Sequence, residues 1–387
     1  MTKTNFTTKE MMDQFPINKI FLKEINMKKL ELLVITLFCH FLVSAQNNET
    51  WLAFYNQDST KVGFKDQAGN VKIEPKFVGM SDNQKFENII AVYEETGPNW
   101  KSYCLTKDGK QVGHNNLYIF DNTPDCEYEG FIRFTDKKTD KTGLFDKDGN
   151  IAIPADYNYV SKVRNGLVVA LKGAKKKYKG EHFFWKGGNN YLLDLKNNVL
   201  IENFKTEEDL NFYSLEISKT PSKDPIRESF LAKDGTYYTF IDYRKEFNQW
   251  FLKDFIPNIS IENLDKNSLD NFQIWSEETN EWLKVPKKEF LASNFDALKQ
   301  NFQSQKIAKN EYWVSVYSLN SLMYEGEAFE KYFDNCGQGM EYKYPLITVL
   351  INDMKSETLL NQNKFDFLRT ENGYKLVQAN IEFENVK

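Results

Sequence analysis

Beyond its first 45 residues the chain holds few groups able to do chemistry: Cys104, Cys126, Cys336, His114 and His182. Two histidines are too few for the usual metal or proton-transfer constellations. Zinc-ligand spacing, a phosphate loop, a nucleophile elbow and a dinucleotide fingerprint are all missing. Cys336, within Asp334-Asn-Cys-Gly-Gln-Gly339, has the look of a thiol-enzyme loop. No histidine follows it, so a base would have to come from elsewhere in the fold. The acid pairs Glu277 with Glu281 and Glu311 with Glu325 are of the right type to flank a glycosidic bond. That reaction needs a fixed distance between carboxyls, which position along the chain does not supply. Asp66, Asp146 and Asp148 invite a calcium reading, but they lack the alternating acids of a calcium loop, and turn formation accounts for them. The expectation is a binding protein with no catalytic, cofactor-binding or metal-binding residues and no cofactor.

The segments carrying those acids repeat. Lys141-Thr-Gly-Leu-Phe-Asp-Lys-Asp-Gly-Asn-Ile-Ala-Ile153 follows the grammar of Lys61-Val-Gly-Phe-Lys-Asp-Gln-Ala-Gly-Asn-Val-Lys-Ile73, and Lys107-Asp-Gly-Lys110 lies midway. Gly69, Gly109 and Gly149 thus fall at a period of forty residues, a repeat signature. Each copy predicts a short strand, a turn in which Asp66 or Asp146 bonds the local backbone while glycine takes positive φ, and a second strand of alternating character. Pro75 or Pro154 then ends the ladder, and Phe77 or Tyr157 is placed to pack on the next unit. Third strands are expected at 89–93, 130–134 and 166–171. Fainter restarts at 191–198 and 230–235 bring the count to about five units. Lys175-Lys-Lys-Tyr-Lys179 reads as a solvated loop.

These residues resemble the WG repeat family in their glycine, aspartate, turn glycine and Ile-Pro-like step before an aromatic. The defining Trp is replaced by Val62 and Thr142. The resemblance implies a mainly β repeat array, either propeller-like or of stacked hairpins, acting as an interaction scaffold of the bacterial envelope and not in itself catalytic. Residues 46–243 are assigned to this array.

From residue 244 the period changes. Phe247, Trp250, Phe251 and Phe255 fall on one helical face. Further helices are expected from Ser293 and over 327–333, and strands at 312–317, 346–351 and in a hairpin through Asn372-Gly373. Residues 244–387 thus read as an α+β domain, loosely similar in element order to nuclear-transport-factor-2-like folds. Trp275, Trp282, Trp313 and Tyr317 are candidates for an aromatic pocket there, with core packing as the competing reading.

With 387 residues the chain suits two domains, and its 15% aromatic content with mixed charges suits a folded, sheet-rich protein. Residues 27–45 carry a basic start, an apolar run from Leu32 to Val43 and a small-residue site ending at Ala45, the pattern of a secretory signal peptide. Residues 1–26 read as an upstream extension. Removing 1–45 takes away six lysines and four acids, so the mature chain is more acidic than the net −5 of the whole. That balance gives no drive toward nucleic acid or anionic lipid. An oxidising compartment permits one disulfide, Cys104 with Cys126 in one repeat being the expected pair; three buried thiols are the alternative. The functional expectation is an exported, secreted or periplasmic, non-catalytic binder of an envelope protein or glycan, without a transmembrane segment in the mature chain. An envelope hydrolase acting on glycan or peptidoglycan, with its pocket in the C-terminal region, is the alternative, and a glycan binder using that pocket without turnover is a third reading.

Overall fold

The computed structural model describes residues 49–78, 83–205, 209–276, 279–304, 307, 309, 311–355 and 358–380. The expected signal peptide and upstream extension lie outside them. The chain is mostly β and antiparallel.

The turns form as their residue types require. Asp66 Oδ1 accepts from the Asn70 N–H at 2.7 Å, and the Gly69 N–H returns to the Asp66 carbonyl, with Gly69 at φ +89°. Asp146, Gly149 and Asn150 repeat the pattern, the Asn150 N–H lying 2.8 Å from Asp146 Oδ1. In the copy at Gly109, the Thr106 hydroxyl replaces the carboxylate and accepts from the Lys110 N–H at 3.0 Å. Asp194 makes the same bond to Asn198 at 2.8 Å. Hydrogen bonding from the Asn70 side chain, with Lys72 at 3.0 Å, holds the Asp66 carboxyl down to about 2. These carboxylates are therefore occupied by their own turns, as hairpin chemistry predicts.

Successive sheets share cores. The first has seven strands and spans residues 51–112; three-, four- and three-stranded sheets follow at 132–157, 159–202 and 210–242. Ile90 and Val92 pack inside the first sheet's own cluster, while Ile89 and Ala91 face Leu117, Ile132 and Phe134 of the next segment. Val168 and Ala170 join Leu144 and Ile153 on one side, and Leu167 and Val169 join Phe212 and Phe240 on the other. Strands that are buried on both faces must be apolar at every position, which is why these read as unbroken hydrophobic runs. Tyr157 also reaches forward, its hydroxyl donating to Asn197 Oδ1 at 2.8 Å. The strand glycine three residues before the turns at Asp66 and Asp146 has a packing cause. A Cβ on Gly143 would stand 2.5 Å from the Ile153 carbonyl and 2.7 Å from the Phe134 ring, across a bulged register.

The fourth array sheet ends at Asp242, whose carboxylate caps helix α1 (Tyr243–Trp250) by accepting from the Lys245 N–H. A π-helical turn, Phe251–Phe255, continues it. Together with α2 (Ile261–Lys266) and α3 (Lys287–Phe302) it covers one face of the four-stranded sheet Trp313–Tyr317, Leu346–Lys355, Thr358–Thr370 and Gly373–Asn380. The other face, with Leu346, Leu368 and Val377, is covered by the segment 319–344. Two helical expectations shift: α3 begins at Lys287, before Ser293, and only a short 3-10 turn, Glu330–Tyr332, forms within 327–333. Lys175–Lys179 is no loop but a strand paired with His182–Lys186.

Gly143→Ala should lower stability by about 2–3 kcal/mol, read as a shift of the urea midpoint, because backbone carbonyl and ring must both move. The folded Asp66 carboxyl titrates below its ordinary 3.8, so its contribution is complete above that value and disappears as pH falls through about 2. Urea midpoints of wild type and Asp66→Asn should therefore converge on acidification, and a gap constant across the acid range would refute the coupling.

Candidate functional site

Cys126 is bonded to Cys336, at 210 residues' separation, with Cα atoms 6.1 Å apart. The expected Cys104–Cys126 pair is thereby overturned. Cys104 points into the shared core with Ile89 and Phe145, where burial keeps its thiol protonated well above the ordinary range. With its sulfur in the disulfide, Cys336 offers no thiolate nucleophile, and the thiol-enzyme reading fails. The cluster of Cys126, Asp334 and Cys336 likewise has both its sulfurs joined to each other.

The segment carrying Cys336 is a displaced copy of the repeat turn. Asp334 Oδ1 accepts from the Gln338 N–H at 3.0 Å, the Gly337 N–H returns to the Asp334 carbonyl, and Gly337 sits at φ +75°. The turn docks on the array. The Gln84 and Lys85 N–H groups both donate to the Asn335 carbonyl, and Lys162 pairs with Asp334 at 3.0 Å. Nearby, the Arg164 guanidinium lies over the Tyr342 ring and the Tyr243 hydroxyl donates to the Tyr342 carbonyl. The spacing Asp334-x-x-Gly337 equals that of Asp66-x-x-Gly69, so the signal was present in the sequence.

Among the described side chains of the expected C-terminal aromatic pocket, Trp282, Trp313 and Tyr317 stand exposed on two separate sheets. Trp313, 68% exposed, and Tyr317 share the outer face of an edge strand whose opposite face, Val314 and Val316, meets the core. Trp282 is also exposed, on the hairpin 271–286, and the side chain of Trp275 lies outside the described residues. Trp282, Trp313 and Tyr317 are thus exposed rather than buried in a pocket or core.

An aromatic groove lies instead in the array. A cavity of about 710 Å³ opens between Tyr118–Asp121 and the hairpin Lys175–Lys186, with Phe120, Phe183, Phe184 and Trp185 among its lining. Phe120 is 73% exposed, and the Phe183 and Phe184 rings are half exposed. Gly180, at φ +64°, opens the two-residue turn, a hairpin signal that the sequence contained. Register puts Lys176, Tyr178, Phe183 and Trp185 on one face. There the Phe183 ring meets Trp185 edge-on at 5.7 Å, and the Lys176 ammonium lies over Phe183 while pairing with Asp140 at 2.7 Å. One groove wall is fixed from behind, as Arg133 stacks on Tyr118 and is held by Asp125. Exposed ring faces bordered by carboxylates and an imidazole can stack on a ligand and hydrogen-bond its polar groups.

These features define an antiparallel β-repeat protein with a groove on its array. Within that array, residues 143–175 match the WG containing repeat family. No curated protein matches the chain.

Cys126→Ser with Cys336→Ser should lower the free energy of unfolding by up to about 5 kcal/mol, the chain-entropy value for so long a loop, read by urea denaturation. Reductant should bring wild type to the variant's midpoint. A variant as stable as the oxidised wild type would mean that the docked turn holds without its covalent bond.

Proposed function

We propose that this chain is an exported, non-catalytic binding protein. In this reading its WG-type array, an open stack of hairpin units rather than a closed propeller, holds an envelope protein or glycan in the groove between Phe120 and the hairpin Lys175–Lys186. The observation that carries it is the exposure of three phenylalanine rings around one cavity, since apolar surface gathered in a concave site marks a ligand or partner surface. The stacked arrangement draws support from the chain-order sequence of sheets, each sharing a core with the next. Export, to the periplasm or the outside, rests on the pattern of residues 27–45 with cleavage near Ala45, and the Cys126–Cys336 bond suits an oxidising compartment. Among the described residues no helix is long and apolar enough to cross a membrane.

The test uses Trp185 as reporter. Its fluorescence should change saturably on titration with the partner, a purified envelope glycan or protein. Phe120→Ser with Phe183→Ser should weaken that binding at least about tenfold, the scale of losing aromatic anchors, while near-ultraviolet circular dichroism stays unchanged. Turnover of the bound glycan, or binding retained by the double variant, would overturn the reading. N-terminal sequencing of the extracytoplasmic protein should begin at Gln46, and an unprocessed chain retained in the cytoplasm would overturn export.

A further inference from the structure

Four lysines of the hairpin Lys175–Lys186 stay out of the groove and share one face of the hairpin, although two other residues of that face, His182 and Phe184, also border the groove. Register places Lys175, Lys177 and Lys179 across from Lys186, Phe184 and His182, so four lysines surround one half-exposed aromatic ring. All four lysines are exposed, and none lines the groove. Among the described residues none of them has a carboxylate partner, in contrast to Lys176 on the opposite face, which pairs with Asp140. The two strands pair only with each other, so the hairpin stands apart from the sheets that flank it.

We propose that this lysine face docks on an anionic lipid surface, with Phe184 entering the interface among the headgroups. The net charge of the chain argues against anionic lipid only at long range. Charges farther away than about 8 Å are largely screened at physiological ionic strength, so an approaching surface meets the hairpin and not the average of the molecule. Within residues 175–186 five lysines stand against one acid, Glu181. The residue types select a lipid surface over a folded acidic partner. Lysine is depleted from the cores of protein interfaces, and this face offers no arginine fork to fix a carboxylate or phosphate in one geometry. Flexible ammonium groups on long stems around an apolar ring match a fluid layer of phosphates over acyl chains. The ammoniums stay at headgroup level and the ring goes below. The groove, which Phe184 also borders, would then be presented at the membrane surface.

The experiment is co-sedimentation of the full chain with phosphatidylcholine vesicles, with and without phosphatidylglycerol. Any contribution of the apolar run 32–43 is common to all the proteins compared. Wild type should bind the anionic vesicles and lose them in high salt. Replacing Lys175, Lys177, Lys179 and Lys186 by Gln should weaken binding at least about tenfold, because each lysine near such a surface carries several-fold in affinity. Phe184→Ser should weaken it severalfold. The four Gln replacements should leave the Trp185-reported groove binding intact, which separates failure of this site from failure of the groove. Equal binding to neutral and anionic vesicles, or wild-type binding by the Gln variant, would overturn the proposal. So would polygalacturonate displacing the vesicles with an affinity indifferent to Phe184.

Discussion

The structure depends on one local bond: a side-chain oxygen at the first position of a five-residue turn accepting the backbone N–H four residues on. Asp66, Asp146 and Asp194 make it with a carboxylate and Thr106 makes it with a hydroxyl. The bond fixes the direction in which each strand returns. Glycine at positive φ lets the turn close without strain, and the strand glycine Gly143 lets the returning backbone pass at contact distance. Each unit therefore presents the same two faces to its neighbours, and a stack with shared cores results.

The same turn explains how the two halves are joined. Asp334–Gln338 reproduces it far from the array, where it presents Cys336 to Cys126 and the Asn335 carbonyl to the backbone of Gln84 and Lys85. The segment around it also covers one face of the C-terminal sheet, with Leu319, Tyr332 and Tyr344 against Leu346 and Leu368. One stretch of chain thus serves as core for the C-terminal sheet and as clasp on the array.

The hairpin Lys175–Lys186 separates two chemistries by strand alternation alone. A period of two puts Phe183, Trp185 and the Asp140-paired Lys176 on one face, and Lys175, Lys177, Lys179 and Lys186, with no carboxylate partner among the described residues, on the other beside Phe184. A solvated loop of the same composition would mix them. Its pairing was missed because the run of lysines dominated the reading, although the glycine opening its two-residue turn was a legible hairpin signal. The aromatic residues nominated in the C-terminal half failed for a related reason: Trp313 and Tyr317 lie two registers apart on one face, and sequence could not say that this face looks outward.

Sequence determined what short range controls. Forty-residue spacing, the Asp-x-x-Gly turns, the third strands at Ile89 and Leu167, and the aromatic face of α1 were legible because backbone geometry and alternation act over a few residues. Tertiary structure alone decided which cysteines meet, which strand edge lies outermost and which loops enclose a cavity. Cys104 and Cys126 are near in sequence, yet the core shared by neighbouring sheets takes the Cys104 side chain inward, while a turn 210 residues away brings Cys336 to Cys126. Pairing of that kind depends on how sheets stack and chain segments fold back, and sequence spacing carries no record of either.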